Sequence, residues 1–542
     1  MTGPSLALCR PWLGPLLLLV GACATPPEPE ADAVPAPYSA AVVARFPAPA
    51  VRYTTPAFEP GRESFTSNDE VNGWLQRLAV PGSASGGTAA ALIALGKSQE
   101  GVPIQALHLA RAPRGERPLV LLVGQQHGDE PAGSEALLVL ANELATGRLS
   151  SVLDHIDVVV LPRANPDGAA LQRRVTANGI DANRDHLLLR TPEATAMAAL
   201  TRDYRPVVVV DAHEHTVVGR YLEKFKAVQR HDMLLQYAMT ANLPEAIGRA
   251  SEEWFRQPLL GAMAREGLMT EWYYTNPTTP GDLRISMGGA QPDTGRNVNG
   301  LKNTISILLE SRGVGIGRLH LARRVHSQVV ALGSIVQSAA LHAQALGKLK
   351  RDSDEQVAAQ ACRGDAVVLA GQTPGRRDLL FIDPMNGKDR AINVEWNSSL
   401  QLRTISARPR PCGYWLDADA SDAVARLRAL GVLVQRVGSA QTLQGERYRE
   451  VARQSGQRDD VRGRIDDPEA ILRVQVALDA AAVPAPAGSY YVGLDQPLAN
   501  LVLAALEPDT QNSYFANRVI ATLPQIARVM QRPVAAALAA LP

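Results

Sequence analysis

The sequence predicts an α/β fold: a mixed, mostly parallel sheet flanked by helices, followed by a smaller α+β region. Three observations lead there. Runs made mostly of aliphatic residues occur at 119–123, 156–161, 207–210 and 304–309, and strands buried on both faces read as such runs. Stretches with helical spacing of apolar residues lie between them, and strands alternating with helices mark a layered α/β domain. After about residue 352 the texture changes. Short strand-like runs at 366–370, 379–382 and 400–402 precede a helix at 421–429, stopped by Gly431, and a further run at 432–434.

The elements follow in chain order. Residues 1–22 read as a signal peptide, because the apolar stretch after Arg10 is too short to span a bilayer. Small residues just before Cys23 resemble a bacterial lipobox. That resemblance makes Cys23 the lipidated first residue of the mature chain, anchored to the membrane; plain cleavage by an ordinary signal peptidase is the alternative. Ala24, where Asp would retain a lipoprotein at the inner membrane, points to the outer membrane facing the periplasm. The rest of 23–60 is rich in Pro and Ala and predicts a stiff tether. Runs at 92–95 and 104–109 around Gly96 and Gly101 predict a hairpin. A helix is expected over 131–146, with Pro131 in its first turn and Leu137, Leu138 and Ala141 on one face. A long amphipathic helix over 318–347 closes a main domain of residues 65–347, and 352–542 form an accessory domain.

Composition narrows the function classes. With 542 residues and 46% hydrophobic content, the chain can bury a large core and more than one domain. Lys and Arg number 55 against 54 Asp and Glu, so no general field favours nucleic acid, and recognition of charge must be local. Cys362 and Cys412 remain in the mature chain. In an oxidising compartment they can form a disulfide; two buried thiols are the alternative.

The chemistry concentrates just past the ends of the aliphatic runs, where ligand sites form in open α/β sheets. His127 and Glu130 are three residues apart after the first run, and His213 follows the third. Two nitrogens, one carboxylate and one open position are the ligand set of a catalytic rather than a structural zinc. His215 is a rival to His213, because residues two apart on an extended segment share a face. Glu310 ends an otherwise apolar strand, a costly place for a carboxylate without a task or partner. Between these come the turn Asn165, Pro166, Asp167, Gly168, then Arg174, then Asn178, Gly179, Asp181, Asn183 and Arg184.

In this order the motifs resemble the zinc carboxypeptidase family, typified by the pancreatic digestive enzymes, over about residues 65–345. The resemblance implies one Zn²⁺ on His127, Glu130 and His213, with Asp211 behind. It implies Glu310 as general base, Arg174 as oxyanion stabiliser, and Asn183 with Arg184 gripping the free C-terminus of a peptide substrate. The family also carries a mobile tyrosine upstream of the catalytic glutamate. Tyr273 and Tyr274 are the nearest candidates, and Tyr274 is taken for substrate binding. Glu214 and His215 could shape the substrate side, but His215 is read in preference as a hydrogen-bonded surface histidine. The expected activity is hydrolysis of C-terminal peptide bonds in the cell envelope. The alternatives are a peptidoglycan stem-peptide amidase, an N-acyl amino acid deacylase, or a non-catalytic binding lipoprotein. No catalytic motif is assignable after residue 352.

Overall fold

A computed structural model describes residues 1, 3, 36–80, 82, 87–111, 116–465 and 467–541. The expected signal peptide and Cys23 lie outside the described residues. The central element is an eight-stranded mixed sheet. Its strands run in the order Thr88–Lys97, Pro103–Arg111, Asp157–Leu161, Leu119–Gly124, Val208–Thr216, Ile305–Val314, Met233–Tyr237 and Thr270–Trp272. The four strands from 157–161 to 305–314 are mutually parallel, whereas the first two are antiparallel additions at the edge.

Alternation along a strand sends successive side chains to opposite faces. Val120 and Leu122 therefore join the core under helices Pro131–Ala145 and Leu321–Leu341. Leu121 and Val123 meet Met197 and Leu200 of helix Pro192–Tyr204 on the other side. Both faces are covered, which is why these strands show no polar alternation. Helix Pro131–Ala145 approaches the sheet closely. A Cβ at Gly133 would lie 2.7 Å from the carbonyl oxygen of Ala212, so only glycine fits there.

Several expectations need correction. Residues 36–60 are not a tether: Tyr38, Val42 and Phe46 bury against Val217, Val218, Val228 and Ile382. Their spacing of four is a helical signal that the Pro and Ala content obscures. The helix expected over 318–347 is two helices, Leu321–Leu341 and Ala343–Ala359, bent by 80° about His342. The runs at 366–370 and 379–382 belong to one strand, Asp365–Ile382, paired antiparallel with Asp389–Pro409, which contains 400–402. The run at 432–434 is not a strand; the next one is Gln435–Val437.

The division near residue 350 also cuts through a sheet. Strands Asp365–Ile382 and Asp389–Pro409 share a five-stranded sheet with Val228–Gln229, Tyr274–Thr275 and Ile285–Met287. Seven further C-terminal strands form a separate sheet over its own apolar cluster, including Tyr414, Leu427, Val492 and Leu503, and Asp459–Asp460 pairs with Gly463–Arg464 as a two-stranded hairpin apart from it. A disulfide joins Cys362 and Cys412, tying the approach to one sheet to the first strand of the other.

Candidate metal centre and substrate cavity

The turn after strand Leu119–Gly124 carries His127 and Glu130, and a second turn after Asp157–Leu161 backs onto it. A Cβ on Gly128 would fall 2.0 Å from the carbonyl carbon of Gly168, and one on Gly168 would fall 2.5 Å from Asn165 Nδ2. The two glycines of the two motifs thus serve one close contact. Asn165 Oδ1 accepts from Gly168 N at 2.9 Å, and its Nδ2 donates to the Gln126 carbonyl at 3.1 Å, locking the turns together.

His213 comes from the neighbouring strand Val208–Thr216, and Glu310 is its direct register partner on Ile305–Val314. Parallel pairing therefore sets the two side by side although 97 residues separate them (310 − 213). His127 Nδ1 lies 2.8 Å from Glu130 Oε1, and His213 Nδ1 lies 2.7 Å from Glu130 Oε2. The two Nδ1 atoms are 3.0 Å apart. Each ring holds a carboxylate with its other nitrogen: His127 Nε2 is 3.0 Å from Asp181 Oδ1, and His213 Nε2 is 2.8 Å from Asp211 Oδ2.

This donor set fits a metal. With both Nε2 atoms protonated toward Asp181 and Asp211, both Nδ1 lone pairs face each other and the Glu130 carboxylate. Converging lone pairs repel unless a cation lies among them. Carboxylates that orient ligating imidazoles through the far nitrogen are a hallmark of zinc sites. His127, Glu130 and His213 are all buried, and their ligand atoms lie within 4.8 Å of one another.

The other expected residues separate into those the structure brings to this point and those it does not. Arg174 Nη1 reaches His127 Nδ1 at 3.2 Å and Glu130 Oε1 at 3.4 Å, while its Nε and Nη2 donate to Asp181 Oδ2 at 3.0 and 2.9 Å. Asp181 thus orients both His127 and Arg174, a part not assigned from the sequence. Asn183 Nδ2 donates to Asp211 Oδ2 at 3.5 Å, and its Oδ1 accepts from Gly295 N at 2.8 Å, so its amide holds the carboxylate behind His213. Arg184 is occupied: Nε and Nη2 donate to Asp460 Oδ2, the former at 3.1 Å, and Nη1 donates to the Asn183 carbonyl at 2.7 Å.

Tyr274 is the clearest correction. Its ring packs among Tyr221, His231, Phe381 and Trp396, and it is buried in that aromatic cluster. Tyr273 is the residue whose hydroxyl feels Glu310, Arg184 and Arg174; burial first, then the Glu310 charge, push it up to about 12. Neighbours on an extended segment face opposite ways, so one of the two had to point inward.

His215 is buried rather than a surface histidine, and burial drives its pKa down to about 3, leaving it neutral. Glu214 lines the cavity and also forms a buried pair with Arg324, Nε to Oε1 at 2.8 Å and Nη2 to Oε2 at 2.9 Å. Removing one partner of such a pair strands a buried charge. Arg324→Met is expected to cost about 3–5 kcal/mol of stability. Urea denaturation of the zinc-loaded protein checks this, and a loss indistinguishable from zero refutes it.

The metal cluster opens into a cavity of about 550 Å³. Its walls include Arg174, Tyr273, Arg296 and Glu310, and also Gly371, Gln372, Asn397 and the turn 459–463. Residues beyond 352 therefore line the site, which sequence reading missed. The signal was there in Asp459, Asp460, Arg462 and Gly463, a charged tight-turn pattern, but nothing local says which cavity a turn enters. Burial, and next the Glu130 carboxylate, push the Glu310 carboxyl up to about 7.

Comparison with known proteins agrees with this geometry. Residues 83–278 match the model of the zinc carboxypeptidase domain. The chain carries a zinc carboxypeptidase domain over those residues. It is a zinc-dependent carboxypeptidase, a hydrolase of peptide bonds that uses one zinc ion. Carboxypeptidase 2 of Trichophyton rubrum is 27% identical over 490 residues, covering 85% of this chain and 86% of that one. Likeness over that share extends beyond the zinc carboxypeptidase match into the C-terminal region. Carboxypeptidase SOL1 of Arabidopsis thaliana is 31% identical over 148 residues, covering 24% of this chain and 30% of that one. A metallo-carboxypeptidase structure from Burkholderia cenocepacia covers 50% of this chain and 68% of that one, at 17% identity and a TM-score of 0.38.

Proposed function

We propose that this carboxypeptidase trims C-terminal residues from peptides in the envelope of a bacterium, held at the outer membrane through lipid on Cys23. The observation that carries the catalytic part is the convergence of His127, Glu130 and His213 beside Glu310, at the mouth of a cavity rich in arginine. The Cys362–Cys412 bond supports export, since disulfides persist in oxidising compartments. The lipobox-like residues before Cys23 support the anchor.

In this reading His127 Nδ1, Glu130 and His213 Nδ1 hold the zinc. When bound, zinc supplies Lewis acidity, lowering the pKa of water to about 7 and polarising a carbonyl. Glu310 takes a proton from the attacking water and returns it to the leaving amine nitrogen. Arg174, fixed by Asp181, donates N–H to the carbonyl oxygen as negative charge develops there. Tyr273, not Tyr274, is the phenol positioned to contact the bound peptide.

The test is product analysis by mass spectrometry on a mixed library of free-acid peptides, their C-terminal amides, muropeptides and N-acyl amino acids. Stepwise loss of terminal residues from free acids alone is expected. Equal cleavage of amides removes the exopeptidase reading. Growth with a labelled fatty acid tests the anchor: the wild-type chain takes up label and Cys23→Ala does not.

A further inference from the structure

Arg184, the residue expected to grip the substrate terminus, has its outward nitrogens on a carboxylate of the chain itself. We propose that Arg462, from the C-terminal region, receives the free α-carboxylate of the peptide instead. This rests on the carboxypeptidase reading above and names the residue that would confer it.

The turn that carries Arg462 is built and anchored. Asp459–Asp460 pairs with Gly463–Arg464 as a short hairpin, with Gly463 in the left-handed region at φ 105°. Asp460 uses both oxygens: Oδ2 accepts from Arg184, and Oδ1 accepts from Arg462 N at 2.7 Å. The Arg462 carbonyl accepts from Thr278 N at 2.7 Å and from Thr278 Oγ1 at 3.1 Å, docking the turn on Thr278. At its base, Arg458 pairs with Asp467 at 2.7 Å and also donates to the Arg184 carbonyl at 2.9 Å. Gln511 clasps the Asp459 backbone, accepting from its N–H at 3.0 Å and donating to its carbonyl at 2.6 Å.

The Arg462 side chain lines the cavity, and among the described residues it makes no hydrogen bond or ion pair. Two other cavity arginines lack a carboxylate but are held otherwise. Arg220 donates to Asn276 Oδ1 at 3.1 Å, and Arg296 to the Gly289 carbonyl at 3.1 Å. Arg462 is also the right neighbour for the reaction. The charge of Arg174 is the largest influence on it, and depresses its pKa. Two guanidinium groups that repel across a cavity leave a place for an anion between or beside them. The scissile carbonyl and the terminal carboxylate are one residue apart, roughly 3.3–3.6 Å along an extended chain. The cation for the carboxylate must therefore sit next to the one for the carbonyl oxygen, which is Arg174.

The experiment uses full-length, zinc-loaded protein carrying Glu310→Gln, so that peptide binds with little turnover. The probe is the best-cleaved library peptide, as the free acid and as its amide, and Kd is read by calorimetry. A charge-assisted contact of this kind corresponds to about a ten- to hundredfold change in Kd. Adding Arg462→Gln should weaken the free acid by that factor and leave the amide unchanged, and Arg462→Lys should restore part of the loss. An unchanged Kd for the free acid in Arg462→Gln overturns the assignment. Tighter free-acid binding in Asp460→Asn, with no effect at Arg462, also overturns it and makes Asp460 a built-in competitor for Arg184. If the Glu310→Gln parent binds acid and amide alike, no terminal carboxylate is recognised, and the reading beneath the proposal falls with it.

Discussion

Glu310→Gln is expected to lower kcat by roughly 10²–10⁴-fold, the usual worth of a positioned acid–base group, while the protein keeps its zinc. The amide is nearly isosteric with the carboxylate, so the strand Ile305–Val314 and its register with His213 remain. The proton acceptor is what is lost. The pH profile gives a second readout. Glu310 must be ionised to accept a proton, so kcat/KM falls as pH drops through its pKa. Burial and Glu130 push that pKa up to about 7, and a cation on the ligands acts in the opposite direction. The acid limb should therefore have its midpoint below about 7 and disappear from the residual activity of Glu310→Gln. Normal turnover in the variant, or an unchanged acid limb, would remove Glu310 as the base.

The second large effect is on metal. His213→Ala should weaken zinc binding by more than the 10–100-fold typical when only an outer partner of a ligand is lost. It deletes a nitrogen donor and leaves the buried Asp211 without its imidazole. Asp211→Asn, which keeps the donor but loosens its orientation, should fall within that 10–100-fold range. His215→Ala should retain zinc, since its Nδ1 lies 3.3 Å from the Thr216 carbonyl rather than at the cluster. Metal analysis after dialysis against a chelator series ranks the three. Release by His215→Ala with retention by His213→Ala would reverse the ligand assignment.

How much of the site was legible depends on how local its cause is. His127 and Glu130 share one turn, and a three-residue spacing announces itself. His213 and Glu310 each end an aliphatic run, and the rule that sites gather past strand ends brings them together before any coordinates are known. The Tyr273 and Tyr274 question was not legible, because which neighbour faces inward depends on the exact start of strand Tyr274–Thr275. The Arg184–Asp460 pair was not legible for a different reason. The motif of Arg184 is local, but its partner Asp460 lies 276 residues away. In residues 36–60 the Pro and Ala content masks the three apolar side chains, Tyr38, Val42 and Phe46, that dock the segment.

By itself the sequence determined the α/β layering, the ligand triad and the candidate base, because these follow from burial patterns and from the chemistry of single turns. Tertiary structure decided that the strands beyond 352 complete a sheet with 228–287, and that a C-terminal hairpin enters the cavity and occupies Arg184. Those outcomes depend on contacts between segments hundreds of residues apart. Their free energy comes from shape and charge matching that no single segment carries in its own residues.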